Sequence, residues 1–408
     1  MQKKLKSLDF EAKILPTAGH PVVYAENLEA GKNKPTILIY GHYDVQSPDP
    51  LDEWTSDPFK PEIRSGNIYG RGTADDKGQL YTWIAAIKEI DKLPVNIKFL
   101  IEGEEEIGSK NLDEFIEQNK SLLEADICVI SDSHCLTETQ PVIVYGLRGL
   151  AYAQIKIKTL GRDVHSGTYG GNVLNPANVL AQIITRFKDG NHHVLIPGFY
   201  DNVRKLSTKE ITDLEKFPFG EKQVLVETAA ETVAGEKAFP VQVRAGARPT
   251  LDVNGIWGGY AGEGPKTIIP AEAGAKISMR LVPNQTSEEI FTKFEKYIKK
   301  ITPKGAELVT ERLSEGEPIL MDTSSIYFKA AEKAYKKVFG KKPIYALEGG
   351  SIPVTATLKN ILNLDSVLMG YELPDDGLHS PNEKFSLSMF KKGIATNIEF
   401  LKSLDKAR

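Results

Sequence analysis

From residue 36 the chain alternates short, β-rich apolar runs with stretches of helical periodicity, and this alternation restricts its fold more than any other feature. "TILIYGH" reads as a buried strand, and in "GQLYTWIAAIKEIDKL" the residues Leu80, Trp83, Ile84, Ile87 and Ile90 recur on one helical stripe. "NIKFLIEG" is a second strand, "NLDEFIEQNKSLL" a helix and "ADICVIS" a third strand. Strand, helix, strand, helix, strand predicts an α/β layer on a largely parallel sheet. Ligands of such sheets bind beyond the carboxyl ends of the strands.

The texture changes after "YGLRGL", residues 145–150. "AYAQIKIKTLG" alternates apolar and polar residues, as a half-exposed antiparallel strand does. Asn175-Pro176 is an N-cap and first-turn pair for the helix "ANVLAQIITRF", whose Val179, Leu180, Ile183, Ile184 and Phe187 share one side. "PTLDVNGIW" and "GAKISMRLVP" add strands and "SEEIFTKFEKYIKKI" a helix. Beyond about residue 315 the first pattern returns in "SSIYFKAAEKAYKKVF", "DSVLMGYE" and "SLSMFKKGIATNIEFLKSL". A length of 408 residues suits two cores. The expected architecture is therefore a discontinuous α/β domain, residues 1–148 and 316–408, with a largely parallel mixed sheet flanked by helices. An α+β domain, residues 149–315, is inserted in it.

Composition excludes whole classes of partner. A net charge of -4 and a pI near 6.1 provide no basic field for nucleic acid or an anionic membrane. "MQKKLKSLDFEAKILP" lacks the apolar core of a secretion signal, and no apolar run reaches the length of a membrane span. The expected compartment is the cytoplasm. Two cysteines, Cys128 and Cys135, form neither a disulfide framework nor a C-x-x-C pair, so a metal site here uses nitrogen and oxygen ligands.

Chemistry gathers where strands end. "TILIY" leads into His42 and Asp44; "NIYGRGTADDKGQ" brings Asp75 and Asp76 just before a helix. "KFLIEG" runs into Glu104, Glu105 and Glu106; "ICVIS" ends in Asp132; "SVLMGYE" leads to "LPDDGLHSPNE" with His379. Carboxylates so gathered repel one another and are costly to desolvate, which implies bound cations. Histidine plus carboxylate suits zinc or manganese better than calcium. One bridging Asp lets five ligands serve two ions about 3.5–4 Å apart. Asp44, two residues after His42, is placed to orient the imidazole rather than to bind metal. Each signal alone has a bland reading: "ADDKG" is a common helix start, and a charge run is usually solvated. Their joint occurrence at strand ends points to a metal centre. "GYAGEGPKT" resembles a phosphate-binding loop, but Pro265 intrudes and no strand-loop-helix surrounds it. His20, His192 and His193 read as structural or solvated.

"GHYDVQ", "WTSDPFKPEIRSGNIYGRGTADDKGQ", "EGEEEIGS", "SDS", "RDVHSGTYGG", "KTIIP", "MRLVP", "EGGSIP" and "LHSPNE", in this order, resemble the two-metal dipeptidases of the carnosinase type, in the aminoacylase and carboxypeptidase superfamily of metallopeptidases. The resemblance runs from about residue 20 to the C-terminus. It implies a phosphorylase/peptidase-like catalytic domain with an inserted lid and dimerisation domain. It also implies hydrolysis of dipeptides or very short peptides. His42, Asp75 and Asp132 match the ligands of one metal and Asp75, Glu106 and His379 those of the other, with the Asp75–Asp76 peptide cis. Two divalent ions per chain are implied, zinc first, with manganese or cobalt as alternatives. Glu105 matches the general base acting on a water between the metals, and Glu104 is expected to be only solvated. His165 matches a histidine that crosses a homodimer interface to stabilise the oxyanion. Arg280 and Thr267 match binders of the substrate carboxylate, with Gly350 and Ser351 on a loop lining that pocket; an arginine fork suits a carboxylate. Relatives carry a few dozen additional N-terminal residues, so some sheet surface is expected to be uncovered. The same metals and base would also serve a deacylase of N-acetyl or N-succinyl amino acids, and a catalytically idle metal-binding scaffold is the remaining alternative.

Overall fold

A strand buried at every position, such as Asn96–Glu102, must be covered on both faces. In the computed structural model, which describes residues 1–350 and 352–405, the chain divides into two compact units. One comprises Met1–Tyr145, Met321–Ala346 and the chain from Ile352 on; the other comprises Gly146–Leu320 and Leu347–Ser351. Ser351 itself lies outside the described residues.

In the first unit Thr36–His42 pairs in parallel with Asn96–Glu102 on one side and with Ile127–Ile130 on the other. Ser366–Leu368 continues the parallel run beside Ile127–Ile130. The flanks are antiparallel: Val22–Asn27 and then Glu11–Leu15 on one margin, Val142–Leu147 on the other. The sheet is thus mixed, with a continuous parallel run through Asn96–Glu102, Thr36–His42, Ile127–Ile130 and Ser366–Leu368. Thr36–His42 lies between the two strands that follow it in sequence, which is where the order of an α/β sheet switches and a crevice opens at the carboxyl ends.

Helix Lys77–Lys88 buries Leu80, Trp83, Ile84 and Ile87, and Trp83 donates its indole N–H to Ser131 Oγ at 2.7 Å. The C-terminal helix Leu387–Asp405 packs against it and against Ile326–Phe339, with Phe400 edge-on to Trp83. Ile90 falls beyond the end of Lys77–Lys88 and is half-buried in the turn that follows. The stretch 112–123 is two helices, Leu112–Gln118 and Lys120–Leu123. They part at Asn119, whose side-chain amide donates to the Phe115 carbonyl at 2.8 Å and so competes with the backbone ladder. Asn67–Tyr69 does not join the main sheet; it pairs with Glu62–Arg64 and Lys384–Ser386 in a small separate sheet. Asp75 therefore arrives on a loop between that small sheet and a helix, not from the end of a main-sheet strand.

The second unit is an antiparallel sheet in the order Thr250–Gly258, Glu272–Leu281, Gly149–Lys158, Glu307–Gly316. Gly149–Lys158 alternates buried and half-buried positions along its length. Helix Pro176–Ile184, capped by the Asn175 side chain, and helix Ser287–Ile301, capped by Thr286, lay their apolar faces on the sheet. Phe187 lies past the end of its helix yet is buried, 5.8 Å from Phe294. Three short helices, Thr208–Glu215, Glu221–Thr228 and Val241–Ala247, fill a region the apolar periodicity left blank. The first carries a readable signal, the capping box Ser207 to Glu210. Among the described residues no helix is long and apolar enough to cross a membrane.

Phe294 is fully buried in this second core. Phe294→Ala should destabilise the protein by about 3–5 kcal/mol, through lost transfer energy plus the cavity left behind. Denaturant titration followed by tryptophan fluorescence and circular dichroism measures this loss.

Candidate metal centre

Three parallel strands end side by side and each passes a side chain or its following loop into one acidic pocket. His42 closes Thr36–His42, opposite Glu102 in the ladder. Beyond Asn96–Glu102 the chain turns through the short 3-10 helix Glu105–Ile107. Asp132 follows Ile127–Ile130 by two residues. Asp75 and His379 come from loops, His379 with a left-handed φ of 58°.

The ligand atoms form two groups, His42 with Asp75 and Asp132, and Asp75 with Glu106 and His379; within each group they lie within 4.8 Å of one another. Asp75 belongs to both. Its Oδ1 is 2.9 Å from His42 Nε2 and its Oδ2 2.9 Å from His379 Nε2. His379 Nε2 is also 3.3 Å from Glu106 Oε2, and His42 Nε2 3.8 Å from Asp132 Oδ2. The donors are imidazole nitrogens and carboxylate oxygens that converge from five chain segments, a set fitted to two hard-to-borderline divalent cations sharing one carboxylate.

Asp44 stands behind the ligands. Its Oδ1 is 3.3 Å from His42 Nδ1, and its Oδ2 accepts the Glu106 backbone N–H at 3.0 Å. One carboxylate thus touches the imidazole of one group and the backbone of the other. Gln46, which the sequence reading passed over, donates its backbone N–H at 3.1 Å and its side-chain amide at 2.8 Å to the two oxygens of Glu106. Its position in "GHYDVQ" was the available signal. The Asp75–Asp76 peptide is cis. Glu104 corrects an expectation: it is buried rather than solvated, and its carboxylate accepts the His20 backbone N–H and the Asn111 side-chain amide. These hydrogen bonds, Asn111's foremost, hold it below the ordinary carboxylate range.

Crowded carboxylates with few cations leave an electrostatic imprint. Burial, reinforced by Asp132, Glu106 and Asp75 and opposed by His42, pushes Glu105 up to about 8. Burial likewise raises Asp132 to about 6, with Asp75 and Glu106 adding to it. Burial disfavours a charged His42 ring, but the Asp44 and Asp75 carboxylates outweigh it and hold the imidazole well above its usual range. Burial would raise Asp75, yet the His42 and His379 rings keep it low. Positive charge is what this pocket lacks, and the imidazoles supply what they can.

The remaining candidates belong to the other unit. His165 and Thr267 are neighbours there: Val164–His165 pairs with Ile268–Ile269, and the Ser166 N–H donates to the Thr267 carbonyl at 3.1 Å. His165 is exposed, and its Nδ1 accepts the Gly167 N–H at 3.0 Å, which leaves Nε2 for another partner. Arg280, half-buried on Glu272–Leu281, pairs in the sheet with Thr250 and Leu150. Its guanidinium has no hydrogen bond or ion pair among the described residues. Nearby Arg148 is lowered to about 10 by burial and by the Arg280 charge, so this is a locally cationic patch. Gly350 is exposed, with open space where a side chain would stand.

Comparison with known proteins places the chain among metal-dependent peptidases. Residues 38–403 match the family described as peptidase family M20/M25/M40. The Cys-Gly metallodipeptidase DUG1 of Saccharomyces cerevisiae is 34% identical over 397 residues, 95% of this chain and 82% of that protein. The human Beta-Ala-His dipeptidase is 32% identical over 375 residues, 90% of this chain and 74% of its own length. Among solved structures, the M20 family metallo-carboxypeptidase Sso-CP2 from Sulfolobus solfataricus superimposes with a TM-score of 0.85 at 34% identity, covering 99% of this chain and 93% of that one.

The raised Glu105 carboxyl has a consequence for stability. Folded, it keeps its proton up to about pH 8; unfolded, it releases it near the ordinary 4.5. The folded state therefore binds more protons between these values, and the stability of chelator-treated protein should fall as pH rises through that window. Glu105→Gln, with no proton to lose, should flatten the decline. Thermal melts at intervals from about pH 5 to 8, with chelator and with added Zn²⁺, measure both effects.

Proposed function

The chain belongs to peptidase family M20/M25/M40, and on that footing we propose that it hydrolyses the peptide bond of dipeptides or very short peptides at a two-metal centre. The observation that carries the reading is Asp75, whose two oxygens face two different ligand groups 2.9 Å from an imidazole on each side. His42, Asp75 and Asp132 would hold one cation, and Asp75, Glu106 and His379 the other. Bound there, two divalent ions, zinc in the first instance, would polarise the scissile carbonyl and lower the pKa of the attacking water.

The protein's own groups do the rest. Glu105, beside both ligand groups, would lose the proton it holds in the metal-free pocket once two cations are bound, and its carboxylate would then take the proton of the attacking water and return it to the departing amine. His42 is oriented by Asp44, and Glu106 is steered by Gln46. Arg280, in its cationic patch, would receive the terminal carboxylate, and Thr267, Gly350 and Ser351 are proposed as further contacts of the substrate. His165, from a second copy of the chain, stabilises the oxyanion through its open Nε2. The names of the two curated relatives, a Cys-Gly and a Beta-Ala-His dipeptidase, support a small dipeptide as substrate over an N-acyl amino acid.

The inserted unit serves as lid and dimerisation domain in this reading. Its support is the outermost strand Thr250–Gly258, which has one open edge and carries exposed Ile256 and Trp257, with exposed Tyr260 just beyond. The compartment we assign is the cytoplasm, where the buried free thiols of Cys128 and Cys135 stay reduced.

Chelator-stripped protein titrated with Zn²⁺ or Mn²⁺ should recover cleavage of Ala-Ala, Gly-Leu or β-Ala-His as about two metals bind per chain. Turnover of N-acetyl-methionine alone would instead select the deacylase, and full metal binding without any turnover the idle scaffold. Glu105→Gln should bind metal yet lose roughly 10²- to 10⁴-fold in rate. Ile256→Arg should shift the sedimenting species from dimer to monomer and lower turnover with it.

A further inference from the structure

We infer that Glu383 is a positioning residue of the metal centre, a buried carboxylate that holds the loop of Asp75 in the place of ligation. The inference rests on the two-metal reading above and adds to it a group that touches neither metal nor substrate. Glu383 and its partner Arg71 are both buried, with side-chain exposures of 0% and 1%. The carboxylate spends every direction it has on one loop. Its Oε1 accepts the backbone N–H groups of Ala74 at 2.9 Å and Asp75 at 3.2 Å. Its Oε2 accepts the N–H of Gly72 at 2.9 Å and Arg71 Nη1 at 2.8 Å.

Three backbone N–H groups from four consecutive residues converge on one anion, which is the geometry of a backbone nest. Gly72 makes it possible, since its φ of 80° turns the chain inward at a cost few other residues tolerate. Were the loop merely closing a turn, these donors would find carbonyls. Here they find a carboxylate supplied from 311 residues away. The strand Lys384–Ser386, laid against Asn67–Tyr69, fixes the register that sets Glu383 under the loop.

Glu383 also joins segments that bear different ligands. It follows His379 by four residues, and between them Asn382 is tied to the Thr55 N–H and the Glu53 carbonyl. Arg71 uses its second nitrogen on the Ser47 carbonyl at 3.2 Å, on the segment that carries His42, Asp44 and Gln46. Three ligand-bearing stretches thus meet at one ion pair. Lys77 adds a further positive charge facing Glu383, so the carboxylate is neutralised locally and adds little to the repulsion among the ligands.

The test separates positioning from packing by reading metal affinity in folded, chelator-stripped protein, through competition with a chromophoric chelator. Glu383→Gln and Glu383→Ala should keep the far-ultraviolet circular dichroism of the parent and bind Zn²⁺ about 10- to 100-fold more weakly, the usual effect of disturbing a group that orients ligands. In Glu383→Ala the vacated nest should accept formate, which should restore affinity, whereas neutral formamide of the same size should not. Parental affinity in both folded variants overturns the inference, and so does equal rescue by formate and formamide. If neither variant folds, Arg71→Lys decides: it keeps the charge but gives up the nitrogen at Ser47, so weakened affinity supports the inference and unchanged affinity overturns it. Failure of the parent protein to take up two metals would strike the two-metal reading itself, a result distinct from any of these.

Discussion

The structure depends on an electrostatic debt at the carboxyl ends of the central strands. Asp75, Glu105, Glu106 and Asp132 share a pocket in which, among the described residues, the His42 and His379 rings and the more distant Lys77 ammonium are too few to offset them. At an interior dielectric such an arrangement cannot keep every carboxylate charged, and the groups respond as physics requires: Glu105 and Asp132 rise, His42 rises with them, and Asp75, gripped by both imidazoles, stays low. The same imbalance is what makes the pocket attractive to divalent cations. A chain that folded to bury apolar surface alone would not assemble these groups, so their convergence is the feature that function explains.

Holding like charges together requires a frame that does not yield. The parallel strands Thr36–His42, Asn96–Glu102 and Ile127–Ile130 provide part of it, because each is paired on both sides or wholly buried. The loops provide the rest through carboxylates that are not ligands. Asp44 reaches the Glu106 backbone, Glu104 the backbone of His20, and Glu383 three N–H groups ahead of the cis peptide. Each accepts backbone donors, and those that Glu383 accepts, on Gly72, Ala74 and Asp75, would otherwise be left unpaired in a buried place. The acidic excess of the region is thereby divided between groups that face the pocket and groups that brace it.

Much of this was legible in the order of residues. The alternation of apolar runs and helical stripes predicted the central strands and the long helices, since burial on two faces and burial on one stripe leave different periods. The candidate ligand set followed from acids and histidines placed after those strands together with the resemblance of the motifs. What escaped was decided by hydrogen bonds between distant segments. Glu104 looked solvated beside Glu105 and Glu106, and nothing local foretold that Asn111 and His20 would enclose it. The helix 112–123 broke where Asn119 turned its side chain on its own backbone, a choice that apolar spacing does not encode. The strand Asn67–Tyr69 read like its neighbours yet paired with Lys384–Ser386, more than three hundred residues on.

By itself, then, the sequence determined which side chains are available, which faces of the elements are apolar and which residues follow each strand, because these depend on local spacing alone. Tertiary structure alone decided that Asp75 stands between two imidazoles, that Asp44 serves both ligand groups and that Glu383 lies beneath the loop of Asp75. The reason is that a hydrogen bond requires its two atoms to approach within about 3 Å along a defined direction. Residues separated by tens or hundreds of positions meet that condition only after the sheet has set the register of every loop.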